Sequence, residues 1–178
     1  MKILAISGSL RANSSNTAVL RAMARLAPGA VDITLFDGLA GLPFFNPDLD
    51  GDQVPQPVAV FRALIGGADG ILISSPEYAR GVAGVLKNAL DWLVASLEFP
   101  NKPVALINTS ARATHALAAL TLTLETMSAR LVREASITLP LLGTTNDTDS
   151  IVADARFAVP LCDALDCYVR AIENFAAE

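Results

Sequence analysis

Cysteine occurs only at Cys162 and Cys167, and histidine only at His115, in a chain of 178 residues. The two cysteines share one C-terminal periodic segment, which makes neither a disulfide framework nor a zinc pattern, so no metal is expected. Both read as small buried or half-buried hydrophobes. Basic clusters are also missing. With 13 Lys and Arg against 18 Asp and Glu, the net charge of −5 argues against nucleic acid or an anionic membrane as the main partner. No apolar run reaches bilayer length, and the opening "MKILAISGS" holds an apolar stretch too short for the core of a signal peptide. The expectation is a cytoplasmic protein with no membrane insertion. Linkers, charge blocks, low-complexity tracts and repeats are absent as well, which favours one domain over residues 1–178.

What remains is rich in hydrophobics: 52% of residues are apolar and 17% charged, the balance of a doubly covered sheet or a large subunit interface. Short β-branched or apolar runs alternate with longer segments of helical period. The runs are Lys2 to Ser7, Val31 to Phe36, Asp69 to Ser74, Pro103 to Thr109 and Arg133 to Leu139. The helices fall at Ser15 to Leu26, Pro57 to Gly66, Gly84 to Leu97, Thr114 to Arg130 and Ser150 to Asn174. Repeated β-then-α units of this length predict a parallel sheet with right-handed crossovers and helices on both faces. Ligands of such folds bind beyond the carboxyl ends of the strands, at the switch point of strand order, so the loops after strands one, three and four carry the search.

The first of these, "ISGSLRANSSNT", has a single glycine, Gly8. A dinucleotide loop needs three at fixed spacing and a Walker loop needs a Gly-Lys-Ser/Thr ending. The phosphate loop of low-molecular-weight tyrosine phosphatases needs a nucleophilic cysteine, and none occurs before Cys162. The loop does offer Ser9, Arg11, Asn13, Ser14, Ser15, Asn16 and Thr17 at a predicted helix N-terminus. Hydroxyls, amides, a guanidinium and free backbone N–H groups suit a terminal phosphate monoester, that of a mononucleotide held by its end. Plain N-capping is the alternative, although capping needs one such residue and gives no reason for Arg11.

After strand three, "SSPEYARGVAGVLKNALDWL" fixes the chain's exit with Pro76, places the polar tips of Glu77 and Tyr78, and has Gly81 and Gly84 to ease a tight path into the next helix. Exposed backbone groups with Tyr78 as a wall fit a planar heterocycle, the alternative being a well-formed turn. Trp92 reads as core or subunit contact.

Together, "GSLRANSSN" and "SPEYARGVAGVLKNALDW" resemble the NADPH-dependent FMN reductases, a group that includes quinone, chromate and azo-dye reductases. The resemblance implies a flavodoxin-like three-layer α/β sandwich, a five-stranded parallel sheet of order 2-1-3-4-5 with non-covalent FMN. It places the FMN phosphate among Ser9, Arg11, Ser14 and Asn16, with Ser15 and Thr17 as helpers, and the isoalloxazine along Pro76, Glu77, Tyr78 and Gly81. It also implies a homodimer or homotetramer. After strand four the family commonly has glycines close to the flavin. Here "NTSARATHALAAL" keeps Thr109 and Ser110 in the pattern but has Arg112 and His115 near positions where small residues are usual. Either backbone approach to the ring is reduced, or a cation is supplied to the ring or to the phosphates of the pyridine nucleotide.

The expected activity is hydride transfer from NADPH or NADH to FMN and then to a small acceptor such as free flavin or a quinone. The cofactor carries this chemistry, so no catalytic side chain is expected, and His115 reads as a helix-start or loop residue. Arg80 meets the 2′-phosphate of NADPH, a neighbouring subunit or solvent. The loop from Asp37 to Val54 either connects strand two to its helix or reaches a neighbour's site. The rival readings are an FMN electron carrier without NAD(P)H activity and a flavin-free relative.

Overall fold

A computed structural model of the chain describes residues 1–51, 53–141 and 147–177. The expected single domain over 1–178 and the loop from Asp37 to Val54 therefore include positions, such as Asp52, outside the described residues. The elements run β1 (Lys2–Ser7), α1 (Ser15–Leu26), β2 (Asp32–Phe36), α2 (Gln56–Gly67), β3 (Gly70–Ser74), β4 (Glu77–Tyr78), β5 (Gly81–Val82) and α3 (Gly84–Asp91). They continue as β6 (Pro103–Asn108), α4 (Thr114–Thr126), β7 (Arg130–Leu131), β8 (Ile137–Thr138), α5 (Thr148–Ala153) and α6 (Ala155–Ala176).

The main sheet is parallel in order β2-β1-β3-β6-β7, with β8 also pairing with β6, while β4 and β5 form a separate antiparallel ribbon. This is the expected flavodoxin-like order, with the fifth strand in two pieces. The run expected from Arg133 to Leu139 is interrupted by a 3-10 turn at Arg133–Ala135, and its first pairing falls earlier, at Arg130 and Leu131. Helix α4 accordingly stops at Thr126 rather than Arg130, and Ser128 turns the chain with a positive φ of 63°. Helix α3 ends at Asp91 rather than Leu97. The long last helix breaks at Asp154, whose carboxylate accepts the N–H of Arg156 and so caps α6.

Both faces of the sheet are covered, and the period of two along the strands divides the core. Leu4, Ile6, Ile71, Ile73, Val104 and Leu106 pack with Phe61, Leu86 and Trp92 on the α2–α3–α4 side. Ile3, Ala5, Leu72, Ala105 and Ile107 pack with Met23, Leu165 and Tyr168 on the α1–α6 side. The Tyr168 hydroxyl, fully buried, lies 2.8 Å from the carbonyl oxygens of both Ile71 and Pro103, at the start of the two central strands. A Cβ at residue 70 would sit 2.6 Å from that hydroxyl, so only glycine lets the ring in.

The loop before α2 is pinned to α3. Asn88 Nδ2 and Trp92 Nε1 donate to the Pro43 carbonyl at 2.9 and 2.8 Å, and Phe45 N donates to Asn88 Oδ1 at 2.8 Å. Arg62 ties the arrangement together, donating through Nε to the Trp92 carbonyl at 2.9 Å and pairing with Asp50 at 2.8 Å. Trp92 is thus core, and within "KNALDW" Asn88 and the Trp92 indole hold the loop while Lys87 pairs with Asp91.

Candidate functional site

The carboxyl ends of β1, β3 and β6 finish in Ser7, Ser74 and Asn108, and the loops that follow enclose a cleft of about 480 Å³. Loop one is built on α1. Ser14 is buried, and its Oγ accepts the Thr17 N–H at 3.4 Å, so Ser14 caps the helix while lining the cleft. Ser9 Oγ accepts the Arg11 N–H at 3.3 Å, which turns the chain so that the exposed Arg11 stands on the cleft wall. A Cβ at Gly8 would meet Ser75 Oγ at 2.6 Å, so this glycine serves the close approach of loops one and three.

Asn16, on α1, joins the ends of β3 and β6. Its Oδ1 accepts from Ser74 Oγ at 2.9 Å and from Thr109 Oγ1 at 3.2 Å, and all three side chains are buried. Two donors on one oxygen fix the amide's orientation. The Nδ2 group, which has no partner among the described residues, is left for the cleft that Asn16 lines.

In loop three, Glu77 and Tyr78 pair with Val82 and Gly81 in the β4–β5 ribbon. The turn between them carries positive φ at Ala79 (49°) and Arg80 (61°), as a type I′ turn requires, so the tight path rests on these residues and not on Gly81. The ribbon packs on α4, and Glu77 Oε2 accepts the Ala116 N–H at 2.9 Å. Helix α4 has no side-chain cap of its own, so Glu77 supplies it from across the cleft.

Beyond β6, Asn108 organises the last wall. Its Oδ1 accepts the Ser110 N–H at 3.2 Å, and its Nδ2 donates to the Ser110 carbonyl at 2.9 Å and lies 3.3 Å from Thr138 Oγ1. Leu141 N donates to the Thr109 carbonyl at 3.0 Å and brings one apolar side chain to the cleft.

Of the residues expected from sequence, Ser9, Arg11, Ser14, Ser15, Asn16, Pro76, Glu77, Tyr78, Thr109 and Ser110 all line this one cleft. Thr17 lies beneath it, its hydroxyl 2.8 Å from Ser7 Oγ, and Gly81 sits on β5 without lining it. Reasoning from sequence missed Ser75, Asn108, Ala113 and Leu141 on the wall and left Arg112 undecided. The polar end of "PVALIN" is a signal that could have found Asn108, whereas nothing local marks Leu141. His115 is exposed at the start of α4 and does not line the cleft.

The donor set fits FMN. Arg11 and Asn16 Nδ2 carry donors with no protein partner among the described residues, beside the α1 N-terminus, where backbone N–H groups and the helix dipole favour an anion. The volume lies within the range of small-ligand sites.

The comparisons with known proteins point the same way. An NAD(P)H-dependent FMN reductase of Pseudomonas aeruginosa is 42% identical over 113 residues, 62% of this chain and 60% of that protein. A 2-hydroxy-1,4-benzoquinone reductase of a Burkholderia species is also 42% identical over 113 residues, 62% of this chain and 61% of that one. The matched segment thus spans about three fifths of these curated relatives. Among solved structures, the flavoenzyme NAD(P)H:(acceptor) oxidoreductase FerB of Paracoccus denitrificans superposes with a TM-score of 0.85 at 28% identity, covering 97% of both chains. The family model for NADPH-dependent FMN reductase matches residues 1–140. The chain belongs to the NADPH-dependent FMN reductase family.

Proposed function

We propose that this chain is an FMN-dependent NAD(P)H oxidoreductase that reduces a small acceptor such as a free flavin or a quinone. The observation that carries the reading is the convergence of unpaired donors at the α1 N-terminus with a planar-ligand wall, Pro76 to Tyr78, in one cleft. FMN, when bound, would supply the two-electron chemistry between NAD(P)H and the acceptor, its reduced ring carrying one more negative charge than the oxidised one. Arg11, Ser9, Ser15 and the Asn16 amide hold its phosphate. Pro76, Glu77 and Tyr78 border the ring on one side, Thr109 and Ser110 on the other. These residues bind and orient, and the open mouth of the cleft admits reductant and acceptor in turn.

The walls favour a reductase over an electron carrier. A carrier docks through an acidic rim, whereas this cleft presents Arg11 and Arg112 and a single carboxylate, Glu77, already bonded to Ala116. Anaerobic mixing of the FMN-loaded protein with NADPH or NADH tests the reading, and bleaching of the flavin is the expected result. Failure to bleach with either reductant would leave only the carrier, and a protein that stays colourless with FMN would remove both. Arg11→Ala is expected to weaken FMN about 10- to 100-fold and riboflavin far less, since only FMN has the phosphate that a charge-assisted bond holds.

The same reading includes a homo-oligomer working in the cytoplasm. No helix among the described residues is long and apolar enough to cross a membrane. Val60 and Leu64 on α2, and Val94 and Leu97 just after α3, are exposed on the layer to which the Phe44 loop is pinned, with Leu97 93% and Phe44 89% accessible. Exposed side chains of this kind fit a subunit contact. Sedimentation of wild type as a dimer or tetramer, and of Leu97→Lys with Phe44→Ser as a monomer, is the expected pattern; a monomeric wild type overturns it.

A further inference from the structure

The cleft has two arginine arms of the same local design. Ser9-Leu10-Arg11-Ala12 follows β1 and Ser110-Ala111-Arg112-Ala113 follows β6. In each, the serine Oγ accepts the backbone N–H of the arginine two residues on, at 3.3 Å in both. Both arginines are exposed, both line the cleft, and neither guanidinium has a partner among the described residues. The Arg11 arm is accounted for by the phosphate at the α1 N-terminus. The Arg112 arm runs instead into the N-terminus of α4, where Glu77 already accepts the Ala116 N–H, and it is the other cationic side chain on the wall.

Its place in the sheet separates the two tasks. β3 lies between β1 and β6, so the arms rise from strands roughly 10 Å apart, two strand spacings. A phosphate seated over β1 leaves the remainder of the same molecule, its ring, extending toward the β6 side. The Arg112 loop is also stiff. Asn108 clamps Ser110 through both amide atoms, Ala113 N donates to the Ser110 carbonyl at 3.1 Å, and Thr109 is tied to Asn16. The stiff loop holds the root of the Arg112 side chain at the cleft, within reach of charge that develops there. The negative charge facing this side of the cleft is that of Glu77, and the Ala116 N–H holds its Oε2.

We propose that Arg112 is a redox-tuning residue: its guanidinium balances the negative charge that the flavin ring gains on two-electron reduction, so that the reduced cofactor is bound more tightly relative to the oxidised one. The inference rests on the FMN reading above. The Arg112 guanidinium makes no bond among the described residues and moves no proton. It shifts the equilibrium between the two cofactor states, and its effect weakens as salt screens an exposed charge.

The test is the midpoint potential of the bound flavin, measured by anaerobic spectroelectrochemical titration of the FMN-loaded protein, alongside the dissociation constant of oxidised FMN. Arg112→Ala should lower the reduced-over-oxidised affinity ratio about tenfold, which lowers the two-electron potential by about 30 mV. Arg112→Lys, which keeps the charge, should restore most of it. The difference should shrink from low to high salt. The exposed, unpartnered side chain makes either replacement compatible with folding. An unchanged potential overturns the proposal, including the case in which oxidised and reduced FMN weaken equally and Arg112 is a plain binding contact. A change in NADPH-over-NADH preference at constant potential overturns it in favour of a contact to the pyridine nucleotide. A wild-type protein that never takes up FMN fails the underlying reading instead, and is recognised by the absence of any flavin spectrum.

Discussion

The carboxylate of Glu77 accepts the backbone N–H of Ala116, 39 residues downstream, at 2.9 Å. Loop three and the helix after β6 are therefore joined at the floor of the cleft, and the residue expected to border a flavin is also the cap of α4. Glu77→Ala should lower stability by about 1 kcal/mol, the usual cost of a lost cap, and loosen the cleft enough to weaken FMN. Glu77→Gln keeps an acceptor but loses the charge at the positive end of the helix, so about 0.3–1 kcal/mol is expected. Chemical denaturation with and without FMN measures both.

Asn16 has a structural half and a ligand-facing half, and two substitutions separate them. Asn16→Ala leaves the buried hydroxyls of Ser74 and Thr109 without their acceptor, and a loss of roughly 1–3 kcal/mol is expected in the protein without ligand. Asn16→Asp keeps the acceptor but replaces Nδ2 with a charged oxygen in the cleft. It should weaken FMN much more than riboflavin, read by flavin fluorescence.

The Ala79–Arg80 turn is strained, since L-residues pay for positive φ. Ala79→Gly removes about 1–2 kcal/mol of left-handed cost and adds about 0.5–1 of chain entropy, so a net gain of about 0.5–1 kcal/mol is expected in denaturation. A loss would mean that Ala79 makes contacts worth more than the strain.

Tyr168 sets an alkaline limit. Burial pushes its hydroxyl pKa far above the ordinary value, while in the unfolded chain the group ionises near pH 10. Its stabilisation is complete below the unfolded value and is lost as pH rises above about 10 toward the folded one. Melting from pH 8 to 11 should show the decline, and Tyr168→Phe should flatten it. The same change should cost roughly 1–3 kcal/mol at neutral pH by leaving the Ile71 and Pro103 carbonyls without the hydroxyl.

Much of the fold was legible because its central strands, "GILIS" and "PVALIN", are continuous apolar runs, and every residue of β3 and β6 is buried. The site was legible for a related reason: polar residues cluster where these runs end. The edge was harder to read. The split of the fifth strand into β7 and β8 depends on where the backbone of β6 offers partners, and Arg133 and Glu134, inside the expected strand, bridge the gap as a 3-10 turn. Glu77 as the cap of α4 and Leu141 on the cleft wall are tertiary facts without a local pattern. The Asp37 loop gave no signal of its own because its anchors, Arg62, Asn88 and Trp92, lie in later helices or, for Trp92, just beyond one.

The contact between Gly8 and Ser75 ties the histories of two positions together. Alanine at position 8 would meet Ser75 Oγ at 2.6 Å, Ser75 Cβ at 3.0 Å and Leu86 Cδ2 at 3.3 Å, so glycine at position 75 would remove the two closest of the three contacts. Gly8→Ala is therefore expected to cost more stability with serine at position 75 than with glycine there. Denaturation of the four single and double combinations should show this coupling between two residues that no sequence pattern pairs.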